Sequence, residues 1–152
     1  MTRPIKPAPE MDLGELPEIL GYLLRIAARA SDRQVLPVLA ANGFTRAEIT
    51  TLMIIAYNPN RSLQEITTAV GVEMPATQRL VNALRQKGYV TQSRPDYDKR
   101  ITQYQITPSG LEQAERMKDL SNEKDRKLMN GLSETEKKEL FRLLRHVGSY
   151  TE

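Results

Sequence analysis

Residues 62–88, SLQEITTAVGVEMPATQRLVNALRQKG, spell two short helices and the turn between them. Ser62 and Glu65 form a capping box, in which the hydroxyl and the carboxylate each take one of the free N–H groups at a helix start. The helix they open, Leu63–Val70, stops at Gly71. Pro75 fits the first turn of a second helix, where its missing N–H costs nothing, and this helix runs to about Lys87 with Gly88 as its stop. Such lengths around a glycine turn are those of a helix-turn-helix. On the second helix Thr77, Leu80, Val81 and Leu84 share one face, leaving Gln78, Arg79, Asn82, Arg85 and Gln86 outside. That outer face is basic and rich in amides. Arginine pairs with guanine, and glutamine or asparagine with adenine, in a major groove that admits an α-helix. Helix-turn-helix geometry also serves purposes unrelated to DNA, so this helix alone leaves a solvated surface open.

The next segment changes period. Tyr89–Gln92 and Ile101–Ile106 are β-rich and alternating, and between them lies Arg94-Pro-Asp-Tyr-Asp-Lys-Arg100, which predicts a hairpin. Arg94, Lys99 and Arg100 crowd its loop. A basic loop beside such a helix can reach a neighbouring minor groove, where arginine meets the stronger negative potential. Asp98 would repel phosphate, and is better explained as the partner that holds one arginine in place. An ordinary charged turn is the plain alternative.

Working outward, Thr45–Glu48 is a further capping box, opening a helix with Ile49, Leu52, Ile55 and Ala56 that ends near Tyr57-Asn-Pro59. Before it, Leu16, Ile19, Leu20, Leu23, Leu24 and Ala27 make one helical stripe from about Leu13, with a kink or break expected at Pro37. Thr107-Pro108 restarts helix after the hairpin, Gly131 ends it, and Ser133–Glu136 caps a last helix carrying Leu140, Leu143, Leu144 and Val147. Pro4, Pro7 and Pro9 make residues 1–11 an extended arm.

Charge follows this layout. The net charge is +3, and residues 61–100 hold all of the excess: Arg61, Arg79, Arg85, Lys87, Arg94, Lys99 and Arg100 against Glu65, Glu73, Asp96 and Asp98. There is no cysteine, which excludes disulfides, thiol redox switching and a thiolate zinc site. The lone histidine, His146, has no nucleophile or metal partner near it in sequence, and no glycine-rich phosphate loop occurs. Neither an enzyme nor a bound metal or cofactor is therefore expected. No apolar run approaches the ~20 residues of a membrane span, and no signal peptide opens the chain, so a cytoplasmic protein without membrane association is expected.

Three sets of residues resemble the MarR family of winged helix-turn-helix regulators. Asp98-Lys-Arg100 followed by Ile106-Thr107 and Gly110 resembles its wing-to-helix signature. Val70-Gly-Val72, Arg79-Leu-Val81, Leu84 and Lys87-Gly88 fall at its helix-turn-helix spacing, and Leu132–Glu136 with Leu140, Leu143 and Leu144 resembles its last helix. The resemblance spans about residues 13–148. It implies a mainly α fold with a small β-hairpin wing: a DNA-binding lobe over residues 45–107, and a helical dimerisation region from residues 12–44 and 108–148. It further implies a homodimer on a pseudo-palindromic double-stranded operator. By that resemblance Pro75, Ala76, Gln78, Arg79 and Asn82 would enter the major groove and Arg100 would be the minor-groove wing residue, with Arg94 and Lys99 of the basic loop beside it and Asp98 as the partner read above. Ala83, Pro75-Ala76 and Gln92 depart from residues common in the family. The family also implies repression relieved by a small organic effector, often an aromatic acid, for which Tyr22 and Arg25 are candidate contacts. The alternative is a winged-helix protein-interaction module that does not read DNA sequence.

Overall fold

The computed structural model describes residues 11–96 and 98–148, so all but the last residue of the expected arm lies outside the described residues. A short 3-10 turn, Leu16–Glu18, precedes α1 (Leu20–Ala41) and α2 (Arg46–Tyr57). Then come β1 (Arg61–Ser62), α3 (Leu63–Val70), α4 (Met74–Gln86), β2 (Val90–Ser93), β3 (Gln103–Ile106), α5 (Pro108–Leu128) and α6 (Glu134–Val147).

Local chemistry sets these boundaries. All three capping boxes form: Thr45 with Glu48, Ser62 with Glu65, and Ser133 with Glu136. Gly71 ends α3 at φ 73°, a left-handed conformation that costs glycine nothing. At the start of α5 the Thr107 hydroxyl accepts from the Gly110 amide at 3.0 Å, while Pro108 takes a position that needs no donor.

Two expectations need correction. The first helix starts at Leu20, because Leu16–Glu18 coils separately as a 3-10 turn. Nor does Pro37 break it: α1 is one helix through Ala41. Val35 and Leu39 are buried on its inner side, whereas Pro37 and Arg33 are exposed, so solvent can take over the Arg33 carbonyl that proline leaves without a donor. The sheet also holds an unexpected strand, the two-residue β1, in the order β1-β3-β2 with both pairs antiparallel.

The core lies inside the winged lobe. Leu52, Ile55, Ile66, Val81, Leu84, Val90 and Tyr104 join Val35 and Leu39 from the end of α1, and Ala114 and Met117 from the start of α5. Burial of these side chains drives folding of the lobe. Gly110 is buried against it: a Cβ there would stand 2.2 Å from the Tyr89 carbonyl oxygen and 2.9 Å from Ile106. Beyond that region the helices carry little buried surface. The described part of α1 before Ala30 holds no buried side chain, α5 has none after Met117, and α6 has none at all.

Candidate nucleic-acid interface

The helix-turn-helix is α3 and α4, and its outer surface belongs to α4. Thr77, Val81 and Leu84 are buried, while Leu80, expected with them, is half-buried. This inward anchoring turns the opposite side outward. Pro75, Arg79 and Arg85 are exposed there, and Ala76, Gln78 and Asn82 are half-buried. The amides are already linked to each other. Gln78 Nε2 donates to Asn82 Oδ1 at 3.1 Å, and Arg85 Nη1 donates to the same oxygen at 3.3 Å. Bidentate pairing with adenine needs a free donor and a free acceptor on one amide. Asn82 here offers donors only, whereas Arg79 has no ion-pair partner among the described residues.

Three residues separate α4 from β2, so the wing follows the helix directly. Register pairs Val90 with Ile106 and Ser93 with Gln103, which leaves the basic segment as the hairpin tip. Arg94 is exposed and has no ion-pair partner among the described residues, while Lys99 pairs with Asp96. Asp98 clasps Arg100. One carboxylate oxygen accepts from the Arg100 backbone N–H at 2.9 Å and from Nε at 3.0 Å, and the other accepts from Nη2 at 3.0 Å. The carboxylate side chain is 26% exposed and the guanidinium 90%. The acid therefore sits inward and the base projects, with its remaining N–H groups facing solvent. These hydrogen bonds, from the Arg100 side chain first and its backbone second, hold the Asp98 carboxyl below the usual carboxylate range. The same contact raises Arg100, so both remain charged at neutral pH.

Two further surfaces include no residue of α4 or the wing. Leu20, Leu24, Leu128, Leu140, Phe141 and Leu144 line an apolar groove of about 580 Å³ between α1, the end of α5, and α6. A smaller crevice of about 260 Å³ lies between α1, α2 and α5, with Leu39, Ile49 and Met53 as its apolar lining and Arg46 and Lys118 as its cations. Arg46 pairs with Asp32 at 2.5 Å, and Lys118 has no ion-pair partner among the described residues. The lining of neither includes Tyr22 or Arg25, which contact one another: the Arg25 guanidinium lies 5.9 Å from the centre of the half-buried Tyr22 ring. Sequence reasoning missed Arg46 and Lys118 because 72 positions of chain separate them and only packing brings them together. No helix among the described residues is long and apolar enough to cross a membrane.

Two helices with a glycine turn, a basic hairpin directly after them and a sheet closing the lobe define a winged helix-turn-helix protein. A sequence model described as the MarR family matches residues 42–101. The regulator BilQ of Clostridium symbiosum (strain WAL-14163) is 33% identical over 101 residues, covering 66% of this chain and 70% of that protein. The repressor IacR of Pseudomonas putida is 30% identical over 96 residues, 63% of this chain and 58% of IacR. Among solved structures, the repressor CouR bound to a 23-mer DNA duplex superposes with a TM-score of 0.84 at 27% identity, over 92% of this chain and 99% of CouR. The chain belongs to the MarR family, as a DNA-binding regulator of transcription.

Proposed function

We propose that this chain is a repressor that binds pseudo-palindromic double-stranded DNA as a homodimer. It places α4 in the major groove through Pro75, Ala76, Gln78, Arg79 and Asn82, and its wing in the minor groove through Arg100, with Arg94 and Lys99 beside it. The observation that carries this reading is the Asp98–Arg100 clasp, which extends a fully charged guanidinium from the hairpin tip of the only basic third of the chain. Dimerisation rests on α6: its Leu140, Phe141, Leu143, Leu144 and Val147 are all exposed, and a helix with this apolar stripe needs a cover. The division between lobe and dimer region then falls inside α1 and α5, whose inner ends already belong to the lobe core.

Release falls to a small organic acid. The Arg46–Lys118 crevice supports this reading, since it sets two cations over an apolar lining between the lobe and the long helices. The Tyr22–Arg25 pair is the second candidate. Work on DNA supports a cytoplasmic location for the protein.

The test is affinity for duplex DNA against salt. A protein neutralising six or more phosphates loses roughly 10³-fold or more between 50 and 200 mM salt. A flat response would favour a protein-interaction module instead.

A further inference from the structure

Lys87, which caps the C-terminal end of the reading helix, turns its side chain away from the outer face and back toward the protein. Its Nζ donates to the Gly43 carbonyl at 2.7 Å and to Glu48 Oε1 at 2.6 Å, contacts that span 44 and 39 positions of sequence. It also stands 5.0 Å from the centre of the Phe44 ring, which stacks on Tyr89 at 5.6 Å. Glu48 is buried, with an 11% exposed side chain, and both of its oxygens are in use. While Oε1 takes Lys87, Oε2 accepts from the Thr45 amide at 2.7 Å in the α2 capping box. One carboxylate thus fixes the start of α2 and the end of α4 together, at the corner where α1 turns into α2.

The residues expected to meet bases run from the opposite end of α4, Pro75 and Ala76, through its middle at Gln78 and Arg79 to Asn82. At 1.5 Å per residue Pro75 stands roughly 18 Å and Arg79 roughly 12 Å from Lys87, so a tilt of about 5° at Lys87 displaces them by about 1.6 Å and about 1 Å. Base-edge hydrogen bonds do not survive such an error, whereas phosphate attraction barely changes. We infer that Lys87 is a positioning residue: through Glu48, the Gly43 carbonyl and Phe44 it sets the angle at which α4 meets DNA, and so supports sequence selectivity rather than bulk affinity. This rests on the DNA reading above. The competing role for a lysine at this helix end is a direct phosphate contact, and the two roles leave different signatures.

The experiment uses the full chain and a duplex selected from a random pool by the wild-type protein, with a scrambled duplex as control. Affinities are measured across a salt series, at a temperature where circular dichroism shows each variant fully folded. Lys87→Met keeps the stem over Phe44 and removes the ammonium. It should lose about tenfold or more on the selected duplex, with scrambled affinity and salt slope unchanged, and Lys87→Arg should restore most of the loss. Should Lys87→Met fail to fold, Glu48→Gln keeps an acceptor for the Thr45 amide, removes the ionic partner, and should show the same loss of selectivity. Equal losses on both duplexes with a salt slope reduced by about 1 would make Lys87 a phosphate contact and overturn the inference. So would unchanged discrimination by the variant. Absence of salt-dependent duplex binding by the wild-type protein would instead refute the DNA reading itself.

Discussion

Replacing Gly110 by alanine tests the packing that joins the wing to α5. The new methyl group would stand 2.2 Å from the Tyr89 carbonyl oxygen and 2.9 Å from both the carbon of that carbonyl and Ile106 Cγ1. Backbone cannot swing aside as a side chain can, so relief needs α5 and β2 to part by roughly 1 Å, the difference from an ordinary carbon–oxygen contact of about 3.3 Å. Two hydrogen bonds stand in the way. The Thr107 amide donates to that same Tyr89 carbonyl at 3.0 Å, and the Thr107 hydroxyl donates to the Gly88 carbonyl at 2.8 Å. Overpacking a buried site costs about 1–3 kcal/mol, and a weakened hydrogen bond about 1 kcal/mol more. The expected loss is therefore about 2–4 kcal/mol, or a fall in Tm of roughly 4–16 °C for a chain of this size. Thermal melts of both proteins at equal concentration measure it. A Tm within 1 °C of wild type would show that Gly110 is not wedged against Tyr89, and the packing argument would fail.

The clasp at the wing gives a sign that simple electrostatics would get wrong. Arg100→Ala should weaken binding most at A·T-rich flanks, and Asp98→Asn should also weaken operator binding although it removes a negative charge near DNA; tighter binding by Asp98→Asn in a fluorescence titration would refute the clasp's role. Leu144→Glu, on the exposed stripe of α6 and in the apolar groove, should yield monomers that keep the fold of the lobe, and sedimentation at matched concentrations would detect an unchanged assembly if the reasoning is wrong. Glu48 supplies a pH dependence. Burial pushes its carboxyl up, but hydrogen bonds from Lys87 and the Thr45 amide outweigh burial and leave it below its ordinary 4.5. Its contribution to stability is therefore complete above about pH 4.5 and is lost as pH falls through the lower folded value. Urea unfolding between pH 6 and 3 should show a shallower acid loss for Glu48→Gln than for wild type, and identical slopes would count against the pairing.

What could be read from the sequence was what the chain decides locally. Caps at Thr45, Ser62, Thr107 and Ser133, and glycine stops at Gly71 and Gly88, act within four residues, so their helices stood where expected. Asp98 was legible as an arginine's partner because the pair is two positions apart. Contacts that cross the fold were not. Arg61–Ser62 is too short to show a period and becomes a strand only by pairing with Gln103 and Tyr104. The expectation of a break at Pro37 weighed one lost hydrogen bond and could not see that Val35 and Leu39 are held by the core on either side. Lys87 read as one more cation of the basic segment, whereas Glu48 and the Gly43 carbonyl turn it inward. Tyr22 and Arg25 were chosen for their chemistry on one helix; the crevice cations come from α2 and α5.

The absence of any buried side chain on α6 bears on how much protein a cell needs. The lobe has its own core, whereas the apolar stripe of α6 is exposed, and in the proposed homodimer that stripe is covered only when two copies meet. On that proposal, each chain below the concentration for pairing would be a lone lobe on one half-site, with half the phosphate contacts and no partner to hold it in place. Operator occupancy in that regime would rise with the square of protein concentration, so halving expression would cut repression about fourfold rather than twofold. A dimer of the proposed kind would respond steeply to its own abundance before any effector arrives.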